Sequence, residues 1–403
     1  VIKKNQNSFD IPKIENSLKK IKFRGPDNTS INKISEKIVF GHNRLKIIDL
    51  SENSNQPMHA NGCFLVFNGC IYNYQEIKKK LTHKYSFRTS GDTEVLLYSL
   101  IEWGEKALNI IDGMFSFVFF DGKKIISAID DFGEKPLFYF ENNDEIIFSS
   151  EIIAIKEYLS NKIEKNISDL ILKEFIYLGY LTGEKTIYKN IYKYLPNKIY
   201  YFEKNIFFSK NKIDNRVSLN TKLDDIHNEL INSVKLRLIS NQPVSLLLSS
   251  GIDSSLLLVI LKKELKIDLD TYSFYQPQDV ENINLVKRLT NHLNTEIKII
   301  PKLNFNYEAS SFYNAFNDLN DCETYFPFYK MINYISNNSN TKVILSGTGA
   351  DEIFYGYNKY KFAYDRLSYY KFFDYFKKIH NLKYFPKLNF YIGNNNHRFL
   401  KLK

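Results

Sequence analysis

The chain runs to 403 residues, 44% hydrophobic and 25% charged, which is too long for one ordinary core and apolar enough to build two. No apolar run reaches membrane-span length, since LNIIDGMFSFVFF is broken by Asp112 and Gly113, so no membrane association is expected. The net charge of +10 is scattered through short runs such as KKNQN, KKIKF and KKIH, so it reads as a solvated surface and not as a nucleic-acid footprint.

Residues 38 to 208 read mainly as short strands: KIVFGH, CFLVFNG, FSFVFF, KKIISAID, EIIFSS and NKIYYF, with turn signals at Asp121-Gly122 and Asn142-Asn143-Asp144. TEVLLYSLIEWG carries apolar residues at helical spacing and stops at Gly104. The pattern predicts an α+β unit rich in antiparallel sheet, with its boundary placed at residues 1–208.

From Leu223 the texture changes. LDDIHNELINSVKLRLI predicts an amphipathic helix, PVSLLL a strand, SSLLLVILKKEL a helix, LDTYSFY a strand and INLVKRLTNHLN a helix. TEIKII and TKVILS are further strands around the helix FPFYKMINYIS. Strands alternating with helices imply a doubly wound parallel sheet, placed at residues 222–403, with ligands at the carboxyl ends of its strands. The polar stretch KNKIDNRVSLNTK is the expected linker.

LLLSSGIDSS, Leu246 to Ser255, stands where a buried strand ends and a helix begins. There free backbone N–H groups and the positive end of the helix dipole point the same way, which suits an anion. Gly251 lets the backbone approach a phosphate, and Ser249, Ser250, Ser254 and Ser255 add hydroxyl donors. The plainer reading makes Asp253 or Ser254 a helix cap. No Lys follows the glycine, so this is not a Walker loop; Asp253 beside a phosphate calls instead for a divalent metal, Mg²⁺. A second loop, GTGADE, Gly347 to Glu352, follows the strand TKVILS and offers Asp351 to the same crevice, which weighs against the cap reading.

Cys63, Cys70 and Cys322 are odd in number and lack zinc-ligand spacing, so a reducing, cytoplasmic compartment is expected. No signal segment opens the chain, and its start at Val1 without Met leads to the expectation that residues are missing at that end.

These residues resemble the glutamine-hydrolysing asparagine synthetases. LLLSSGIDSS is similar to that family's pyrophosphate loop S-G-G-x-D-S-S, with Ser250 where the first of the two glycines is usual, and LSGTGADEIFYGY, Leu345 to Tyr357, to its S-G-x-G-x-D-E-x-F-x-G-Y signature. FRGPDN, GHNRLKIIDL, QPM, FNGCIYNYQEI, GDTEVLL, GMFSFVFFD and FGEKPLFY follow in the family's order. The resemblance implies an N-terminal-nucleophile (Ntn) hydrolase-like antiparallel sandwich acting as a glutaminase, followed by an adenine-nucleotide alpha-hydrolase-like domain of the PP-loop type. It implies glutamine held by Arg44, Leu45, Ile47, Ile48, Asn68, Gly69 and Asp92. Arg44 suits the α-carboxylate, Asp92 the α-ammonium, and Asn68 with the Gly69 N–H an oxyanion hole.

In the second domain the resemblance implies Leu248 and Phe274 beside the adenosine, with Ser346 and Gly347 completing the ATP site. Ser249, Ser250, Gly251, Ser254 and Ser255 would hold pyrophosphate, and Asp253 with Asp351 would bind Mg²⁺. The implied substrates are ATP, aspartate and glutamine or ammonia, and a homodimer is possible. The family's nucleophile, a cysteine at the extreme N-terminus, is absent from this chain, which has none before Cys63. Cys70 stands where N-G-E is usual and reads as a small buried residue rather than a substitute nucleophile. Thr348 replaces a common acidic residue, and because the family's C-terminal helical region continues well beyond the position of Lys403, residues are expected to be missing at that end too. The alternatives kept beside aspartate amidation are another carboxylate acceptor and a nucleotide-binding remnant without turnover.

Overall fold

The computed structural model describes residues 1–5, 8–160, 162–165, 167–212, 222–274, 280–301, 318–319, 322–358, 389–392 and 398–401, with backbone alone at 322–324, 389–392 and 398–401. The chain divides into a unit made of residues 1–172, 180–244 and 303–343 and a unit made of 173–179, 245–302 and 344–403. Most of the expected linker lies outside the described residues.

The first unit is built on two antiparallel sheets. A six-stranded sheet runs in the order 206–211, 198–203, 125–129, 113–120, 63–71, 58–60, and a four-stranded sheet in the order 2–3, 145–149, 138–141, 191–193. Strand alternation sorts their side chains into layers. Phe115, Phe117, Phe119, Ile126, Ala128, Ile199 and Tyr201 point to one face of the larger sheet, where they meet Ile77, Leu81, Val95, Leu96 and Leu100 of the helices Tyr74–Leu81 and Asp92–Trp103. Val118, Ile125, Ile129, Tyr200 and Phe202 point the other way and pack on Ile2, Tyr139 and Ile146 of the smaller sheet. Phe140 and Ile147, on that sheet's far side, meet Ile14 and Leu18 of the helix Ile11–Lys20 and Ile155 of the helix Ile152–Tyr158. The layers are therefore helix, sheet, sheet, helix. Each fully buried large side chain in them contributes about 1.5–3 kcal/mol.

The second unit carries a sheet in the order 297–300, 270–274, 244–247, 343–345. The pairs 244–247 with 270–274 and 270–274 with 297–300 are parallel. The order reverses on the two sides of the strand Val244–Leu247, so the loops after it and after Val343–Leu345 leave at a topological switch point, where open α/β sheets bind ligands. The helix after the first loop, Ile252–Val259, continues into a π-helical turn, Ile260–Glu264, which the sequence pattern read as unbroken helix. Among the described residues no helix is long and apolar enough to cross a membrane.

Candidate functional site

In the first unit three segments are tied together. Arg44, buried at the end of the strand Val39–Arg44, donates from Nη1 to the Ser51 carbonyl (2.6 Å) and to Asn55 Oδ1 (2.9 Å), and from Nη2 to the Asp49 carbonyl. Its guanidinium thus braces the following loop from inside. Leu45 is exposed, Ile47 half-buried, and Ile48 packs on the core of the larger sheet. The buried Asp49 carboxylate accepts from the backbone N–H groups of Ser51 and Ser90, each at 2.8 Å. Burial opposes its charge, but these donors and the Ser51 hydroxyl prevail and hold the carboxyl well below its usual range.

Ser90 leads into the helix Asp92–Trp103, and Asp92 Oδ2 accepts from the Ile71 N–H at 2.9 Å. Burial pushes the Asp92 carboxyl up to about 6, against the pull of the Ile71 and Thr93 amides and the Arg44 charge. Ile71 closes the strand Cys63–Ile71, which carries Asn68 and Gly69. Gly69 is required there, because a Cβ would lie 2.1 Å from the Met114 carbonyl oxygen of the neighbouring strand. The Asn68 Nδ2 is buried with no hydrogen-bond partner, and beside it lies a cavity of about 140 Å³ lined by Val1, His42, Ser116, Ser149 and Tyr158 among others. Asn68 is itself one of the lining residues, in a wall that is otherwise mostly apolar, and a buried amide donor without a partner is uncommon. Cys70 is buried, and its burial pushes the thiol up, as the packing reading of that residue requires.

In the second unit the Leu248 N–H donates to the Tyr272 carbonyl (2.8 Å), which carries the sheet one residue beyond Leu247. The loop then turns on its own hydroxyls. The Ser249 N–H donates to Ser254 Oγ (3.0 Å), the two hydroxyls lie 2.9 Å apart, and the Gly251 N–H donates to Ser249 Oγ (3.2 Å). Ser250 reaches outward, its hydroxyl donating to Asn282 Oδ1 at 3.0 Å. The Ser255 N–H donates to the Gly251 carbonyl at 3.2 Å, so Ser255 lies within the first helical turn. Phe274 ends the neighbouring strand Asp270–Phe274 and is half-buried.

The acidic loop comes against this turn. A Cβ on Gly347 would lie 2.9 Å from Asp253 Cβ and 2.9 Å from the Ser254 nitrogen, so only a glycine allows the approach. Ser346 donates its hydroxyl to Thr348 Oγ1 at 3.0 Å, and Asp351 sits in the short helix Ala350–Phe354. The Asp253 carboxyl is raised by partial burial and by the negative charges of Asp351 and Glu352. The two sequence-predicted carboxylates therefore share one field.

The glutamine amidotransferase domain family matches residues 1–211, and the asparagine synthase family matches residues 225–396. The chain is 31% identical over 392 residues to the putative glutamine-hydrolysing asparagine synthetase 2 of Methanocaldococcus jannaschii, covering 84% of this chain and 71% of that one. The chain belongs to the asparagine synthetase family.

Asparagine synthetase 1 of Bacillus subtilis is 30% identical over 352 residues, and the match spans 54% of its length. A 24% identical relative over 390 residues, the amidase chyE of Penicillium rubens, covers 88% of this chain and 56% of its own. Within the asparagine synthetase family motifs, sequence reasoning passed over two charged residues of the first unit. Arg24 of FRGPDN is ion-paired with Glu151, and Lys135 of FGEKPLFY is half-buried, its pKa pushed down by burial and by the Arg24 charge, with Cys70 also in its field. Both lay inside quoted motifs; a basic residue fixed between turn residues was the available signal.

Proposed function

We propose that the protein is an ATP-dependent amidating ligase that converts aspartate to asparagine with ammonia drawn from glutamine. An oxygen of the aspartate side-chain carboxylate attacks the α-phosphorus of ATP, the bond to pyrophosphate breaks, and β-aspartyl-AMP forms. Ammonia then attacks the acyl carbon and AMP leaves with the bonding electrons. In this reading the strand-end backbone at Leu248 and the ring of Phe274 flank the adenosine, with Ser346 and Gly347 opposite. Ser250, Ser255 and the free N–H groups after Gly251 meet the pyrophosphate, while Ser249 and Ser254 hold the turn in shape.

The observation that carries the reading is the seating of Gly347 on Asp253 and Ser254, which joins a hydroxyl-rich turn to an acidic one at the switch point. The donor set suits Mg²⁺: hard carboxylate oxygens of Asp253 and Asp351, the Asp253 carboxyl being raised by partial burial and then by the negative charge of Asp351. Mg²⁺ there would neutralise phosphate oxygens as the pyrophosphate departs. In the glutaminase part, the loop from Arg44 to Ile48 and the Asp92 carboxylate hold glutamine, and Asn68 Nδ2 with the Gly69 N–H face the oxyanion.

The test is pyrophosphate and AMP release by the full-length protein supplied with ATP, Mg²⁺, ammonia and single carboxylic acids. Release with aspartate supports the reading. Release with another acid alone supports a second one, a relative acting on a different carboxylate; Thr348, standing where an acidic residue is common in the family, favours that alternative.

A further inference from the structure

We propose that Asn241, from the stretch matched by the asparagine synthase family, is a positioning residue for the glutamine loop at residues 44–51. The inference rests on the reading of that loop as part of the glutamine site. The helix Leu223–Arg237 and the residues after it belong to the first unit. Three consecutive contacts dock this segment there. The Arg237 guanidinium lies 4.8 Å over the Tyr72 ring. Ile239 packs against the cluster formed by Leu65, Phe67 and Leu96. Asn241 then grips the loop at two points: its own N–H donates to the Ile47 carbonyl at 2.9 Å, and its Oδ1 accepts from the Asp49 N–H at 3.0 Å.

The turn that presents Asn241 is itself fixed. Ser240 Oγ accepts from the Gln242 N–H and donates to the Gln242 carbonyl, both at 2.9 Å. On the loop side, Asp49 relays the grip, because its carboxylate holds the Ser90 N–H two residues before Asp92. The loop thus has an inner brace, Arg44, and an outer one, Asn241. Arg44 binds carbonyls of Asp49 and Ser51, whereas Asn241 supplies the acceptor for the Asp49 N–H. A loop held from both sides loses less conformational freedom when glutamine binds, and that saving appears as affinity. The Asn241 side chain is exposed, so its removal opens no core cavity. Its role is in the loop's shape rather than in the stability of the unit.

The test uses the full-length protein and two variants. Asn241→Ala removes the acceptor, and Asn241→Asp keeps an oxygen in its place. In Asn241→Ala, glutamine measured by calorimetry is expected to bind about fivefold more weakly, the effect of one neutral hydrogen bond. Hydrogen exchange of the peptide spanning residues 45–51 should quicken while the melting temperature holds. Asn241→Asp should recover most of both losses, a rescue that a merely structural role would not show. If wild-type protein binds glutamine and Asn241→Ala binds it equally well, the positioning role is wrong and the glutamine site stands. If wild-type protein fails to bind glutamine, the reading of the loop is wrong and this role goes with it.

Discussion

The backbone of Gly347 lies against Asp253, so close that a Cβ on the glycine would sit 2.9 Å from the Asp253 Cβ and 2.9 Å from the Ser254 nitrogen. Those neighbours are a side-chain root and a backbone atom, which cannot swing aside. Gly347→Ala must therefore part the acidic loop from the hydroxyl-rich turn. Stability should fall by about 1–3 kcal/mol, as for an overpacked contact, and pyrophosphate release should drop by about tenfold or more as the reacting groups lose register. Initial rates beside a urea titration check it. Unchanged rates would mean that the contact does not shape the nucleotide site.

Gly356 tests the same site from the other side. A Cβ there would lie 1.9 Å from Asp351 Oδ1, the far end of a flexible side chain, at an exposed position. In Gly356→Ala the carboxylate rotates away and the fold stays. The expected result is a melting temperature like that of the parent, with a Mg²⁺ requirement for pyrophosphate release shifted at least severalfold upward. Asp351→Asn should match it. If Gly356→Ala raised the Mg²⁺ requirement and Asp351→Asn did not, steric damage rather than the carboxylate would be responsible.

Asp92 makes stability depend on pH. Its carboxyl is raised from 3.8 to about 6 in the folded protein, chiefly by burial, so between those values the folded state holds the proton more often than the unfolded chain. The stability this confers is fully present below the unfolded pKa and is lost as pH rises through about 6. The difference is on the order of 3 kcal/mol between acid and neutral pH. Asp92→Asn should remove that slope, seen as urea midpoints at pH 4.5 and 7 that lie closer together than the parent's. Glutamine affinity carries the opposite sign, because the ammonium group needs the carboxylate. It should weaken as pH falls below about 6. A parent protein whose glutamine affinity is flat across that range would remove Asp92 from the site.

Much of the sheet architecture was legible because its strands are contiguous runs with their own punctuation. PVSLLL and LDTYSFY became the parallel strands Val244–Leu247 and Asp270–Phe274, and TEVLLYSLIEWG became the helix Asp92–Trp103, ended by Gly104 at a φ of 56°. The helix Ile11–Lys20 was passed over although Asp10 caps it, Pro12 opens it and Ile11, Ile14 and Leu18 recur at helical spacing, because the stripe is narrow among Lys13, Glu15, Asn16, Lys19 and Lys20. The strand Phe138–Glu141 was hidden inside a motif read for chemistry. Arg44 was placed beside a ligand carboxylate by the family resemblance, with which its charge agrees; that the fold also turns both terminal guanidinium nitrogens on to its own loop was not legible in the sequence. Asn241 could not be found locally, since Asp49, which it holds, stands 192 residues earlier.

Gly69 and Gly113 lie on neighbouring paired strands, two registers apart, and the strand of Gly69 also carries Asn68. Their register sets Gly69 opposite Phe115 and Ile71 opposite Gly113, and a Cβ on either would meet a carbonyl oxygen, Met114 at 2.1 Å or Cys70 at 2.2 Å. These carbonyls sit within a sheet buried on both faces, so the strands cannot separate without breaking their ladder. Gly69→Ala should cost about 3 kcal/mol or more. It should also abolish glutamine binding by displacing the adjoining Asn68 Nδ2. Gly104→Ala is the matched control, because Gly104 has a φ of 56° but nothing within 4 Å of its Cβ position. With ψ at −134° it lies outside the αL basin, so that variant meets only a backbone-strain penalty of about 1–3 kcal/mol. Urea midpoints separate the two causes: a much larger loss at Gly69 identifies close strand approach as the constraint, whereas equal losses would show that the sheet yields and that backbone conformation alone selects glycine.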